Sequence, residues 1–218
     1  MARLWNLSAR ENLNLYLFVG VLLAVGAVFG VLLVHALTLE QRQELAQHLG
    51  VYLKSAKTPE DWNVAAAFRD SLLFYAKWLV LIWLLGVSVI GLPLVLILDF
   101  LKGVLIGFAV GLLVNEYAWQ GVWFSLAAVA PQNALVIPAL MIASVSSARF
   151  AYFVVKDRLF RRKGNLLPPF LAHTAAAALM MGMLALASLY EAYVSPLLLE
   201  RAAPEAQAAV QSIGAARF

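Results

Sequence analysis

Long apolar stretches dominate the pattern of hydrophobic and polar positions along the chain. Charged residues are absent from 12–39, 78–98, 117–148 and 164–190. Each of these stretches exceeds the roughly 20 residues with which a helix crosses about 30 Å of hydrocarbon. A fifth charge-free stretch, 103–115, is shorter and needs its flanks to span a membrane. Because the alternation typical of a β-barrel is absent, the pattern predicts an all-α, polytopic integral membrane protein with five transmembrane helices.

The interruptions between the apolar stretches predict where the helices begin and end. A single helix from 71 to 116 would be about 69 Å long, so the chain is expected to turn back at a break around Gly91 and Pro93. A Gln120–Gly121 pair among aromatic residues predicts a short turn before the fourth helix. The predicted spans are about 13–37, 71–92, 94–116, 122–147 and 167–193.

Composition agrees with a membrane location. The chain is 63% hydrophobic and 13% charged, whereas ordinary soluble proteins are about 45–50% apolar and about 25% charged. It contains no cysteine, which excludes disulfides, thiolate catalysis and cysteine-ligated metals. The first apolar stretch is too long for a signal peptide and lacks a small-residue cleavage site, so we interpret it as a retained span.

Two polar segments are predicted to lie outside the cytoplasm. Residues 38–70 combine charges with apolar residues at helical spacing, and Thr58 followed by Pro59 resembles a helix start. We expect two short amphipathic helices on the membrane face, which can dock a partner or can be a solvated connector. The tail, 196–218, is expected to form a short amphipathic helix after Pro204.

The basic loop, residues 149–165, predicts the orientation of the chain. It has a single acid, Asp157, and its basic residues are Arg149, Lys156, Arg158, Arg161, Arg162 and Lys163. Short loops with this bias stay in the cytoplasm, so the N-terminus is predicted to be cytoplasmic and the C-terminus outside. Nucleic-acid binding is a competing explanation for the charge. The loop adjoins two spans, however, so we expect contact with membrane lipid and not with nucleic acid.

Two charged residues, Asp99 and Lys102, interrupt the third apolar region at i and i+3 spacing. If the third helix begins at Pro93, both lie inside the membrane, close enough to neutralise one another. If the helix begins near Asp99, the pair forms a cap at the membrane interface. Charges inside a membrane are costly, so either arrangement marks a candidate functional site.

A second interruption lies in the fourth apolar region, where Gln132 and Asn133 stand between Pro131 and Pro138. Two prolines around a polar pair predict a helix break whose freed backbone groups need partners inside the protein. An ordinary proline kink is the alternative. The predicted intramembrane polar cluster comprises Asp99, Lys102, Gln132 and Asn133.

Glycine spacing predicts where helices approach one another closely. Gly103, Gly107 and Gly111 share one face of the third helix through two overlapping GxxxG steps. Gly26 and Gly30 have the same spacing in the first helix. These faces can pack within one chain or against a second copy, so a homodimer is possible.

An ion pair is also predicted between the second and third helices. Lys77 and Glu116 are expected at about the same depth near one membrane face, where a lysine side chain can reach the interface.

The sequence argues against an enzyme and implies no cofactor. The histidines, His35, His48 and His173, lie far apart, and no HExxH motif or paired-glutamate motif is present. The serines within the predicted spans lie in no nucleophile motif such as G-x-S-x-G, and there is no P-loop. We therefore expect no catalytic residue and no bound metal.

The order of these features resembles the stage II sporulation protein M family. The blocks that carry the resemblance are NLYLFVGVLLAVGAVFGVLLV, LTLEQRQEL, LIWLLGVSVIGLPLVLILDFLKGVLIGFAVGLLVN and PQNALVIPALMIA. The resemblance implies a five-span membrane protein of endospore-forming bacteria that is needed for engulfment of the forespore. It also implies a complex with two peptidoglycan hydrolases, a lytic transglycosylase and an amidase/endopeptidase, localised at the septal membrane. It supplies no catalytic residues.

Two classes of function therefore remain. In the first, the protein is a non-enzymatic scaffold whose outer loop and tail bind the hydrolases during cell-wall remodelling. In the second, it is a small transporter or channel subunit whose polar cluster lines a path at the helix breaks. An odd number of spans without a visible inverted repeat weakens the second class.

Overall fold

The computed structural model describes residues 2–38, 40–41, 44–45, 63–88, 90–128, 130–155 and 166–215. The side chains of 2–12, 116–121, 123–128 and 195–215 lie outside that description. Five helices have described bounds: α1 (Ala2–Ala36), α2 (Val64–Val87), α3 (Gly91–Ala128), α4 (Ala130–Phe153) and α5 (Leu167–Ala215). Residues 40–41 and 44–45 are also helical.

Each helix contains a stretch that is long and apolar enough to cross a membrane. By length and composition these stretches are Leu13–Ala36, Val64–Val87, Gly91–Asn115, Ala130–Phe153 and Leu167–Val194. They confirm the prediction of an all-α membrane protein with five spans.

Helix α2 begins earlier than the sequence pattern suggested, at Val64 instead of near Ser71. The Asn63 side chain caps the helix by accepting a hydrogen bond of 3.1 Å from the Ala66 amide. The last residues assigned to the polar loop therefore belong to a membrane helix. The predicted helix start at Thr58 and most of the predicted amphipathic loop lie outside the described residues.

The break between α2 and α3 occurs just before Gly91. The Ser88 amide donates to the Leu85 carbonyl over 2.9 Å, and the Gly91 amide donates to the Ser88 carbonyl over 3.0 Å. A Cβ at Gly91 would collide with the Leu85 carbonyl oxygen, so this tight turn requires glycine. Pro93 follows in the first turn of α3, where the missing amide hydrogen has no cost.

The predicted turn at Gln120 and Gly121 is wrong. Helix α3 continues through both residues to Ala128, and α4 begins at Ala130 instead of near Val122. Pro131 agrees with this start, because a proline is tolerated in the first turn of a helix. A single glycine inside a helix costs only about 1 kcal/mol.

Two further differences concern prolines. The break predicted around Pro131 to Pro138 occurs before Pro131, whereas Pro138 lies inside α4. The separate helix predicted after Pro204 is also wrong, because α5 is continuous from Leu167 to Ala215 and includes Pro204. Neighbouring helices can satisfy the backbone groups that a proline frees inside a membrane helix.

Helices α1 and α3 lie side by side and run in the same direction. A Cβ added at Gly103 would meet the Leu23 carbonyl oxygen, and one added at Gly107 would meet the Ala27 carbonyl oxygen. The paired positions advance together along both helices, which requires parallel packing. Helix α2 must therefore cross in the opposite direction.

Helices α2 and α5 are antiparallel. Tyr75 contacts Glu191, and Trp83, which lies later in α2, contacts Thr174, which lies earlier in α5. The five helices therefore alternate in direction. We call the end of the bundle at which the segment 156–165 joins α4 to α5 the basic end; the start of the α1 span and the turn between α2 and α3 lie at the same end.

The apolar core lies among four helices. Buried residues of α2, α3, α4 and α5 form one cluster, which comprises Tyr75, Leu79, Ile82, Val95, Val136, Ala139, Leu140, Ala143, Met180, Leu184 and Ala187. Helix α1 joins the bundle through its glycine contacts with α3 and through Val19 and Leu23, which pack near Val145 of α4. This arrangement encloses the polar side chains described next.

Candidate functional site

Two ionisable side chains of α3 are buried near the middle of its span. Asp99 is 2% exposed and Lys102 is 7% exposed. Lys102 lies eleven residues after Gly91, which is about 17 Å along the helix axis. Since the span runs from Gly91 to Asn115, both residues lie well inside the region where charges are most costly.

The Asp99 carboxylate has one hydrogen-bond partner among the residues whose side chains the structure describes. The Ser144 hydroxyl of α4 donates to Asp99 Oδ1 over 2.6 Å. Asp99 Oδ2 is buried and accepts no hydrogen bond within the described part of the chain. Buried polar atoms are nearly always partnered, so this oxygen is an exception that calls for an explanation.

The Lys102 ammonium lies in a cage of aromatic rings from α2. Its Nζ is 5.2 Å from the centroid of Phe74 and 5.6 Å from those of Tyr75 and Trp78. Contacts of this kind stabilise a desolvated cation by roughly 0.5–2 kcal/mol each. The Glu191 carboxylate of α5 attracts the same ammonium.

Tyr75 links this cage to α5. Its hydroxyl donates to Glu191 Oε2 over 2.8 Å. The Lys102 ammonium of α3 therefore belongs to one network with the aromatic cage of α2 and Glu191 of α5.

The direct pairing of Asp99 with Lys102 that the sequence suggested is wrong. Although the spacing allows it, neither side chain forms an ion pair with the other, and both are among the described residues. Each finds a partner on a different helix: Asp99 reaches Ser144 on α4, and Lys102 faces the aromatic cage on α2. The interfacial alternative is also wrong, because α3 begins at Gly91 and both residues are buried.

The other predicted members of the polar cluster lie elsewhere. Asn133 is 9% exposed and Gln132 is half-buried. Ser144, which contacts Asp99, lies eleven residues after Asn133, about 17 Å along α4. The contact between Asp99 and Ser144 therefore lies away from Gln132 and Asn133 along α4.

A second polar layer surrounds His173, a residue that lies in no recognisable sequence motif. The His173 Nε2 donates to the Trp83 carbonyl over 3.3 Å, because a carbonyl can only accept. The Ser146 hydroxyl then donates to His173 Nδ1 over 3.1 Å. The ring stacks on Phe150 at a centroid distance of 5.4 Å and on Trp83 at 6.5 Å.

Close helix approach makes this layer possible. A Cβ added at Gly86 would lie 2.8 Å from Ser147 Oγ and 2.9 Å from His173 Nε2. Ser147 Oγ donates to the Ile82 carbonyl over 3.0 Å. The layer thus ties together α2, α4 and α5. In the sequence, the three serines at 144, 146 and 147 within an apolar helix indicate that this part of α4 has polar contacts.

The glycine faces of α1 and α3 pack against each other within one chain. Added Cβ atoms at Gly26 and Gly30 would meet the carbonyl oxygens of Phe100 and Val104, and one at Gly111 would lie 3.1 Å from the Val31 Cα. These contacts favour packing within one chain over the homodimer alternative for this face. The predicted ion pair involves the Glu116 side chain, which lies outside the described side chains, while the Lys77 side chain is exposed.

A cavity of about 390 Å³ opens beside the His173 layer at the basic end. It lies between α1, α4 and α5, and its lining residues are Tyr16, Ile142, Val145, Ser146, Arg149, Phe150, Phe153, Pro169, Ala172, His173 and Ala176. No group of three or more metal-binding side chains occurs among the residues whose side chains are described.

Comparison with known proteins identifies the family. The family model described as SpoIIM, Stage II sporulation protein M, matches residues 19–196. The chain belongs to the stage II sporulation protein M family. The SpoIIM match extends from α1 into α5 and includes both polar layers. No curated protein and no solved structure matches the chain.

Membership confirms the resemblance seen in the sequence. The protein is a sporulation-related membrane protein with several spans. The SpoIIM family is not known to be enzymatic.

Proposed function

We propose that the protein is a non-enzymatic membrane scaffold. It recruits two peptidoglycan hydrolases, a lytic transglycosylase and an amidase/endopeptidase, and localises them at the septal membrane for engulfment of the forespore. In this proposal the part of the loop that precedes α2, residues 38–63, and the tail 196–218 lie outside the cytoplasm and display the docking surfaces. Family membership supports a role in sporulation.

The observation that carries the proposal is how the buried polar side chains are partnered. The contacts between Tyr75 and Glu191, Trp83 and Thr174, Asp99 and Ser144, and Ser146 and His173 each join two different helices. Polar bonds of this kind fix one arrangement of helices in a membrane. A fixed bundle is what a scaffold needs in order to hold two partners at one place.

Co-purification of the hydrolases with the full-length protein tests the proposal. Replacing residues 39–62 with a glycine and serine linker of equal length leaves the Asn63 cap and α2 intact. We expect this replacement to abolish recovery of the hydrolases. Asp99→Asn, which can still accept from Ser144, should leave recovery unchanged.

A matched control replaces residues 156–165 at the basic end with the same kind of linker. Recovery of the hydrolases should survive this change. The scaffold role is wrong if recovery survives both the replacement of 39–62 and the removal of 196–218 in one variant, or if the hydrolases fail to co-purify with the unaltered protein.

Transport is a second candidate, favoured by one observation. Asp99 Oδ2 is buried at mid-span without a hydrogen-bond partner among the described residues, as expected of a carboxylate that binds an ion or proton. The purified protein in liposomes would then move a cation or proton down an imposed gradient. Asp99→Asn should abolish that flux, and an absence of flux in the unaltered protein would exclude this candidate.

A further inference from the structure

The cavity at the basic end is lined by both apolar and polar residues. Its apolar lining residues include Ile142, Val145, Phe150, Phe153, Ala172 and Ala176. Its polar lining residues are Tyr16, Ser146, Arg149 and His173. A lining that is mostly apolar and includes one cation matches an amphiphile better than a soluble anion.

Arg149 supplies the charge of the site. It lies four residues before the end of α4 at Phe153, about 6 Å from that end along the axis. This is the depth of a membrane interface. Its side chain is exposed, and no acidic residue with a described side chain forms an ion pair with it. The guanidinium presents a planar fork of donors that matches a phosphate group.

His173 shapes the cavity but does not contribute a free donor. Its Nε2 donates to the Trp83 carbonyl, and its Nδ1 accepts from Ser146. Both ring nitrogens are therefore used within the protein. The ring is stacked on Phe150 and on Trp83, so the anionic group must be bound mainly by Arg149.

We propose that this cavity binds an anionic phospholipid. The lipid phosphate pairs with Arg149 near the end of α4, and the first part of an acyl chain contacts the apolar lining residues between α1, α4 and α5. The neighbouring sequence supports an anionic partner, because Lys156, Arg158, Arg161, Arg162 and Lys163 follow closely along the chain. Basic pockets between spans are known to hold lipid head groups. The inference requires only a five-span membrane protein and is independent of hydrolase binding.

Native mass spectrometry of the full-length protein tests the proposal. The protein is purified in dodecyl maltoside micelles that contain either phosphatidylglycerol or phosphatidylcholine. We expect retention of phosphatidylglycerol and weak retention of phosphatidylcholine. Arg149→Gln should weaken phosphatidylglycerol binding about tenfold or more, because a charge-assisted pair is lost. Arg149→Lys, which keeps the charge without the fork, should show an intermediate loss.

Two further variants separate the site from general effects of charge and folding. Arg69→Gln removes an exposed arginine that pairs with Asp70 at the opposite end of the bundle and should leave lipid binding unchanged. Ala176→Leu keeps Arg149 but places a larger side chain in the cavity, and it should also displace the lipid. Circular dichroism verifies that each variant retains its helices.

Three results would overturn the proposal. The first is equal retention of phosphatidylglycerol and phosphatidylcholine by the unaltered protein. The second is unchanged binding in both Arg149→Gln and Ala176→Leu. The third is complete displacement of the lipid by inorganic phosphate, which would show that the site takes a free phosphate and not a lipid.

Discussion

A single serine determines how the Asp99 carboxylate is tolerated inside the bundle. Ser144 is fully buried and donates to Asp99 Oδ1 over 2.6 Å. Ser144→Ala would leave both carboxylate oxygens without a donor, so we expect it to lower the free energy of unfolding by about 1–3 kcal/mol. Reversible unfolding in mixed micelles of dodecyl maltoside and sodium dodecyl sulfate measures this change.

Ser188→Ala is the matched control for Ser144→Ala. Ser188 is also fully buried, but its hydroxyl donates only to the Leu184 carbonyl of its own helix, over 2.9 Å. That carbonyl keeps its helical partner when the hydroxyl is removed, so the loss should be clearly smaller. Equal losses in the two variants would show that the hydrogen bond to Asp99 contributes no more to stability than a bond within one helix.

Lys102 and Glu191 form the second test at the scale of residues. Glu191 attracts the Lys102 ammonium across the interface between α3 and α5. Lys102→Met leaves the carboxylate without that opposing charge, and Glu191→Gln leaves the cation with only its aromatic cage. The double variant should therefore be more stable than the sum of the single losses predicts, by about 0.5–3 kcal/mol. Additive losses in the same unfolding measurement would contradict this coupling.

At the scale of elements, the contact between α1 and α3 depends on the absence of side chains. A Cβ at Gly107 would meet the Ala27 carbonyl oxygen, which is backbone and cannot rotate away. We expect Gly107→Ala to push α1 away from α3 and to destabilise the protein by about 1–3 kcal/mol. Unfolding free energies from the same detergent titration report this loss.

The chain contains a glycine that serves as the control for Gly107→Ala. Nothing lies within 4 Å of a Cβ added at Gly182 in α5. Gly182→Ala should therefore be neutral or should stabilise the helix by up to about 1 kcal/mol through its higher helix propensity. If both substitutions behave alike, the close approach of α1 and α3 does not contribute to stability.

The glycine faces also show how much of helix packing can be predicted from the sequence of one helix. The spacing of Gly103, Gly107 and Gly111 identified a packing face, because residues four apart lie above one another on a helix. It did not identify the partner, since spacing within one helix carries no information about its neighbour. The same limit explains the polar site: the spacing of Asp99 and Lys102 predicted proximity, whereas their actual partners lie on other helices.

Helix ends were predictable where helix length was decisive. The break at Gly91 followed from helix length, because one helix could not have fitted the membrane. The turn at Gln120 was misplaced because aromatic residues and a glycine occur at membrane interfaces without ending a helix. Pro131 was the stronger signal, since proline is favoured in the first turn of a helix and is costly in its interior.

At the scale of the whole molecule, the order of crossings is the property that sequence predicts best. Apolar stretches of sufficient length gave five spans, and the parallel packing of α1 with α3 agrees with alternating crossings. The enclosed layers at Lys102 and His173 could not be assembled in advance. Each depends on side chains from three helices that are distant along the chain.

The orientation of the whole molecule can be tested with single cysteines, because the chain contains none of its own. Thr38 and Ile90 are both exposed and lie at opposite ends of the bundle. The bias of basic residues toward the cytoplasm predicts that Thr38→Cys reacts with a membrane-impermeant maleimide in intact cells, whereas Ile90→Cys reacts only after permeabilisation. Reaction of Ile90→Cys alone in intact cells would invert the orientation and leave the bundle unchanged. α2 is the single span between the two positions. Reaction of both cysteines in intact cells would therefore show that α2 does not cross the membrane.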